Sequence, residues 1–121
     1  PGLAGTTVKT PPAMITPAAT TAASGQEVPL TLTARNVAFD TSSLTVPAGA
    51  RVVMTFMNAE AIPHNFALYT DSSAQTTIFA GETIRGPATV TYIFTAPSAP
   101  GNYFFRCDIH PATMTGTFVV T

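Results

Sequence analysis

The sequence predicts an all-β sandwich of seven or eight short strands, and three observations predict it. Apolar and polar residues alternate with a period of two along several short stretches. Pro and Gly punctuate the joins between them, and no stretch sustains the 3.6-residue period of a helix. At 121 residues the chain is one domain of ordinary size, long enough to bury a core without staples.

Taken in order, residues 1–24 are rich in Pro, Thr and Ala, with Pro11, Pro12 and Pro17 and a single charge, Lys9. Neither apolar period is present, which reads as a linker or stalk of polyproline character preceding a domain over 25–121. The alternative is that part of it, around 6–10 or 13–16, lies across the barrel. Alternation begins at Val28, with Leu30, Leu32 and Ala34 set against Pro29, Thr31, Thr33 and Arg35; Pro29 marks an edge or a strand start. Short strands are expected over 36–39 and 44–46, separated by the turn formers Asp40, Thr41, Ser42 and Ser43. After the turn at Pro47, Ala48 and Gly49, residues 51–57 carry apolar side chains on both faces, as a central strand does, with Met54 and Met57 assigned to the core. Residues 58–63 form the loop that delivers His64. The stretch 70–88, holding Gly81, Gly86 and Pro87, is the least regular, with room for a short helical turn. Residues 89–95 place Val90, Tyr92 and Phe94 on one face, and 103–107 and 115–120 close the sheet.

Charge narrows the function classes. The formal net charge is −1 and 9% of residues are charged, so there is no basic stripe for nucleic acid and no charged tail. No run approaches the 18 apolar residues of a membrane span, and no charged-then-apolar leader opens the sequence; the expectation is a soluble mature form or an engineered fragment. A single Cys forms no internal disulfide. The Thr-rich, Lys-poor composition points toward export.

The chemistry concentrates near the C-terminus, where Cys107, His110 and Met114 fall within eight residues. Thiolate, imidazole and thioether are soft or borderline donors that suit copper better than magnesium, calcium or manganese. For Cys107 and His110 to converge on one metal the chain must turn tightly, which Pro111, Ala112 and Thr113 permit. His64, the other histidine, lies at the junction of two apolar stretches and could arrive from a neighbouring strand. His64, Cys107 and His110 as a trigonal plane, with Met114 as a weak axial donor, make the ligand set of a blue-copper site. Parity agrees: Tyr103, Phe105 and Cys107 share one face of their strand, and Phe104, Arg106 and Asp108 the other. A thiolate facing inward above aromatic rings needs compensating charge, which a metal ion supplies.

These residues carry a family resemblance. Pro63-His64-Asn65, then Tyr103-x-Phe105-x-Cys107-x-x-His110, then Met114 and Gly116, resemble the cupredoxins of the plastocyanin, auracyanin and azurin kind over residues 25–121. Three residues separate His110 from Met114, where plastocyanin-like loops commonly place four. The resemblance implies a Greek-key sandwich or barrel, one type 1 copper ion, and a one-electron carrier rather than an enzyme. It further implies that Asn65 ties the two ligand loops together and supports the Cys107 sulfur by a hydrogen bond. His110 would be the more exposed ligand, within an apolar docking patch of Ile62, Pro63, Ile109, Pro111 and Ala112 used by transient redox-partner proteins. The expected protein is a monomer in the periplasm or at the extracellular face of the cell membrane, with residues 1–24 as a tether.

Other readings stand beside this one. Each ligand has a plain alternative: Cys107 as a small buried hydrophobe, His64 as a satisfied core histidine, Met114 as core, Asn65 as a turn cap. Glu60 reads as a solvated loop residue. The same donors could serve copper delivery or storage, although such sites usually offer more Met or Cys. A thiol enzyme built on Cys107 lacks a recognisable oxyanion donor, and zinc is disfavoured by a thioether. With only two histidines, both used, the chain cannot assemble a second copper centre of its own.

Overall fold

The computed structural model describes residues 26–121, which form an all-β sandwich; the expected linker over 1–24 lies outside the described residues. Its strands are β1 (Glu27–Arg35), β2 (Ala38–Phe39), β3 (Ser43–Val46), β4 (Arg51–Asn58), β5 (Ala67–Tyr69), β6 (Thr77–Ala80), β7 (Ala88–Thr95), β8 (Gly101–Arg106) and β9 (Thr115–Val120). One sheet has the order β2-β1-β4-β7 and the other β3-β9-β8-β5-β6. Both are mixed: β1 runs parallel to β4 and β9 parallel to β3, and the remaining pairs are antiparallel. Among the described residues no helix is long and apolar enough to cross a membrane.

Alternation decides what faces inward. Leu32 and Ala34 of β1, Val52, Met54 and Phe56 of β4, and Tyr92 and Phe94 of β7 are buried from one sheet. Leu44, Val46, Leu68, Phe105, Phe118 and Val120 meet them from the other. Phe66, just before β5, is the hub: its ring centroid lies 5.4 Å from Phe105, 5.7 Å from Phe94 and 6.5 Å from Phe118. Burying one such ring contributes about 1.5–3 kcal/mol, so this aromatic layer is a large share of what holds the sheets together. Gly116 makes room for it, because a Cβ there would stand 2.2 Å from Cζ of Phe105.

Three local expectations change and one holds. Residues 70–88 hold strand β6 and no helical turn; β6 pairs with β5 across a register shift at Leu68/Tyr69, which hid both short strands from a periodicity reading. Asn36 and Val37 are not strand but a left-handed pair, φ 56° and 54°, that reverses the chain into the two-residue β2. Met57 is 41% exposed rather than core, because the outer face of its sheet is open. Pro29 fits as read: among the described residues β2 reaches β1 only at Ala34 and Arg35, leaving no partner on that side of Pro29.

Register gathers the functional loops at one end. Ala34 pairs with Asn58 and Asn58 with Ala88 in one sheet. In the other, Ala67 pairs with both Arg106 and Ala80, and Arg106 with Thr115. The connections 59–66, 81–87 and 107–114 therefore emerge side by side.

Candidate metal centre

The loop 59–66 crosses from β4 to β5, and a buried asparagine shapes it. Parity along β4 turns Asn58 inward after Val52, Met54 and Phe56, where its amide donates to the carbonyls of Ile62 and Ile84, each at 2.8 Å, and its Oδ1 accepts from the Glu60 N–H at 3.0 Å. His64 then forms an antiparallel bridge with Ile84, N to O at 3.0 Å and 2.9 Å in the two directions. Gly86 closes the arrangement, donating to the Glu60 carbonyl at 2.9 Å. A Cβ on Gly86 would stand 2.2 Å from the Asn58 carbonyl oxygen, so a side chain there displaces the loop.

The loop 107–114 is a hairpin connection closed on itself. The Cys107 N–H donates to the Met114 carbonyl at 2.9 Å, His110 N–H to Cys107 at 3.2 Å, and Met114 N–H to His110 at 3.1 Å. Cys107 is a fully buried free thiol at the end of β8, continuing the inward parity of Phe105. Met114 is fully buried in the same core cluster as Cys107.

Between these loops three donors converge. Cys107 Sγ lies 3.8 Å from His64 Nδ1 and 3.7 Å from His110 Nδ1, and the three donor atoms lie within 4.8 Å of one another. A sulfur at about 2.3 Å and a nitrogen at about 2.0 Å from one metal stand about 3.7 Å apart if they subtend about 120° there, and about 3.5 Å apart in a tetrahedron. The observed separations let the sulfur and both nitrogens reach one metal ion, and a thiol, two imidazoles and a nearby buried methionine make up the blue-copper donor set. His64 is fully buried and His110 half-buried, with exposed Ile62 and Ile109 at 41% and 40%, exposed Pro111 and Ala112, and half-buried Pro63 around them.

Asn65 joins the two loops. Its Oδ1 accepts from the Asp108 N–H at 2.8 Å, and its amide donates to the Gly81 carbonyl at 3.0 Å and the Asp108 carboxylate at 3.3 Å. Its side chain is thus committed to Asp108 and Gly81 and not to the Cys107 sulfur. Asp108 also accepts from the Tyr69 hydroxyl at 2.5 Å and Arg106 Nε at 3.1 Å, with the Arg106 guanidinium 4.8 Å from the Tyr69 ring centroid. Burial alone would raise the Asp108 carboxyl, but the hydrogen bonds from Tyr69, Arg106 and Asn65 outweigh it and hold it below the usual carboxylate range.

Sequence reasoning missed Asn58, Ile84 and the real place of Glu60. Asn58 was findable, as the polar end of an inward-facing period. Ile84 acts through its backbone and leaves no side-chain signal. Glu60, read as solvated, lies with Oε2 2.6 Å from His64 Nε2 and is only 20% exposed.

Two packed sheets with a buried thiol between two imidazoles at one end define a class, the cupredoxin-like proteins. The chain belongs to that family: the Cupredoxin-like domain matches residues 11–120. Among solved structures it is similar to dithionite-reduced auracyanin from the photosynthetic bacterium Roseiflexus castenholzii, at 26% identity over 80% of this chain and 99% of that one, TM-score 0.70. It is similar also to auracyanin A, described as a "blue" copper protein, from Chloroflexus aurantiacus, at 27% identity over 79% and 100% of the two chains, TM-score 0.70. Amicyanin from Paracoccus versutus shares the fold at 23% identity over 76% and 80%, TM-score 0.56. Comparison with curated protein sequences finds no match.

Proposed function

We propose that the protein is a one-electron carrier that holds a single copper ion through His64, Cys107, His110 and Met114. The observation that carries this reading is the placement of the one thiol 3.8 Å and 3.7 Å from two imidazole nitrogens. Likeness to auracyanin A, a "blue" copper protein, supports it. Copper bound there supplies a couple that takes up and releases one electron.

The chain's own residues set the conditions for that couple. Cys107 sits on the sandwich's aromatic layer, sealed from water, and the closed 107–114 hairpin keeps its sulfur, His110 and Met114 at fixed spacing. A frame that barely moves between oxidation states keeps the reorganisation accompanying each transfer small. No substrate pocket or second redox centre is required, and the proposed activity is not enzymatic. His110 reaches toward the surface through the apolar rim of Ile62, Pro63, Ile109, Pro111 and Ala112. That rim suits brief, weakly charged contacts with a redox partner. With a net charge of −1, long-range steering contributes little to those encounters. We assign the domain to residues 25–121 and place the protein, as a monomer, at the exported side of the cell, with 1–24 as a tether.

The test is visible absorption after one equivalent of Cu(II), then after ascorbate. An intense blue or green band that bleaches on reduction and returns on oxidation supports the thiolate–copper site and electron transfer. The faint absorption of ordinary Cu(II) overturns both. A band that forms, with Cu(I) then lost rapidly to a chelator, would favour copper delivery instead.

A further inference from the structure

Glu60 occupies a position that a solvated loop carboxylate would not. Its Oε1 accepts from the Asn36 N–H at 3.1 Å and its Oε2 from the Val37 N–H at 2.9 Å. Both donors belong to the left-handed pair that ends β1, φ 56° and 54°. Successive N–H groups turned to one side in this way make a small anion-binding concavity. A β-branched residue at positive φ is a genuine outlier and costs on the order of 1–3 kcal/mol, so Val37 holds this conformation only where its surroundings enforce it. The Glu60 main chain is fixed as well, its N–H by Asn58 and its carbonyl by Gly86. The carboxylate so held has one more neighbour, His64 Nε2, at 2.6 Å.

A neutral imidazole has one N–H and one lone pair, and the partner of one nitrogen decides the role of the other. A carboxylate only accepts, so contact with Glu60 places the ring proton on Nε2. The lone pair then lies on Nδ1, the atom that faces Cys107 Sγ at 3.8 Å. His110 has no counterpart to Glu60 among the described residues.

We propose that Glu60 is the positioning residue of the metal centre: anchored in the Asn36–Val37 concavity, it fixes the tautomer and ring orientation of His64. Its negative charge favours the oxidised state of the bound ion over the reduced. The first part concerns the metal-free protein; only the second rests on the copper reading above. Outer partners of ligating histidines typically matter by about 10–100-fold in metal affinity.

The tautomer is read directly from ¹H–¹⁵N correlations of the histidine rings in metal-free protein, wild type against Glu60→Ala. The expected result is a proton on Nε2 of His64 in wild type and a mixture in the variant, with His110 unchanged. A proton on Nδ1 in wild type, or the same distribution in both proteins, overturns the proposal. This readout needs no copper, so a wild type that fails to give the blue band counts against the function alone. For the charge, Glu60→Gln keeps an acceptor for His64 and loses the anion, and it serves also if Glu60→Ala does not fold. Copper-loaded Glu60→Gln should show a reduction potential higher by about 59 mV for each tenfold shift toward the reduced ion. An unchanged potential in a folded, copper-loaded Glu60→Gln overturns the electrostatic part.

Discussion

The two loops that carry the proposed ligands are built in opposite ways. Loop 107–114 is closed on itself by the Cys107–Met114, His110–Cys107 and Met114–His110 backbone hydrogen bonds within eight residues, with Asp108 tying it outward to Asn65 and Tyr69. Loop 59–66 is held by the rest of the molecule: Asn58 and Ile84 fix its backbone, and Glu60 reaches back to Asn36 and Val37. The histidines inherit the difference, His64 sealed and bonded at both ring nitrogens, His110 half open to solvent. A centre made this way has one rigid wall and one face for contact. The local hairpin presents His110 at the edge through which a partner would be met, beside exposed Ile62 of the long-range loop, which buries His64 on the other side.

The sharpest way to break this comparison is to remove each ring in turn. His64→Ala empties a fully buried site and should cost about 2–4 kcal/mol in metal-free protein. His110→Gly, at the half-open edge, should leave a folded domain within about 1 kcal/mol of wild type, with copper colour lost or altered. Urea unfolding of both variants decides it: equal losses would mean that the loops are not differently anchored. An unchanged blue spectrum in His110→Gly would remove that residue from the ligand set.

A smaller effect tests the long-range wall without touching a ligand. Gly86→Ala drives a Cβ to 2.2 Å from the Asn58 carbonyl and should destabilise the protein by about 1–3 kcal/mol, as overpacking does. It should also loosen His64 by way of the Ile84 bridge. Thermal unfolding measures the first; protection of the His64 amide from hydrogen exchange, compared with that of His110, measures the second. Equal loss of protection at both would show that the loops respond as one.

The smallest effect lies in the apolar layer shared by both loops. The Tyr92 hydroxyl donates to the Glu82 carbonyl at 2.5 Å, and burial pushes the phenol up from 10.0 to about 12. Above pH 10 the unfolded chain releases this proton while the folded chain keeps it, so stability falls with rising pH until about 12. The slope is at most about 1.4 kcal/mol per pH unit. Tyr92→Phe should flatten that alkaline slope and cost about 1 kcal/mol at neutral pH through the lost hydrogen bond. Urea midpoints at pH 8 and 11 test both, and a slope that survives in Tyr92→Phe assigns it to another group.

Much of this was legible in the chain itself. Period-two alternation over 28–35 and 89–95, with the two-faced apolar run 51–57 and the Pro and Gly punctuation between short stretches, determined the sandwich, because which side chains share a face of a strand is a local property of an extended backbone. The spacing of Cys107, His110 and Met114 determined a tight soft-donor hairpin for the same reason, since its hydrogen bonds span no more than seven residues. Tertiary structure alone decided that β5 and β6 pair across a register shift, that Met57 faces an open surface, and that Val37 turns left-handed instead of extending. It alone decided the fate of Glu60, whose partners lie four residues ahead in His64 and 23 and 24 residues back in Val37 and Asn36. A carboxylate in a polar loop looks the same in sequence whether it meets water or an imidazole. Only the packing of one chain reversal against another selects which.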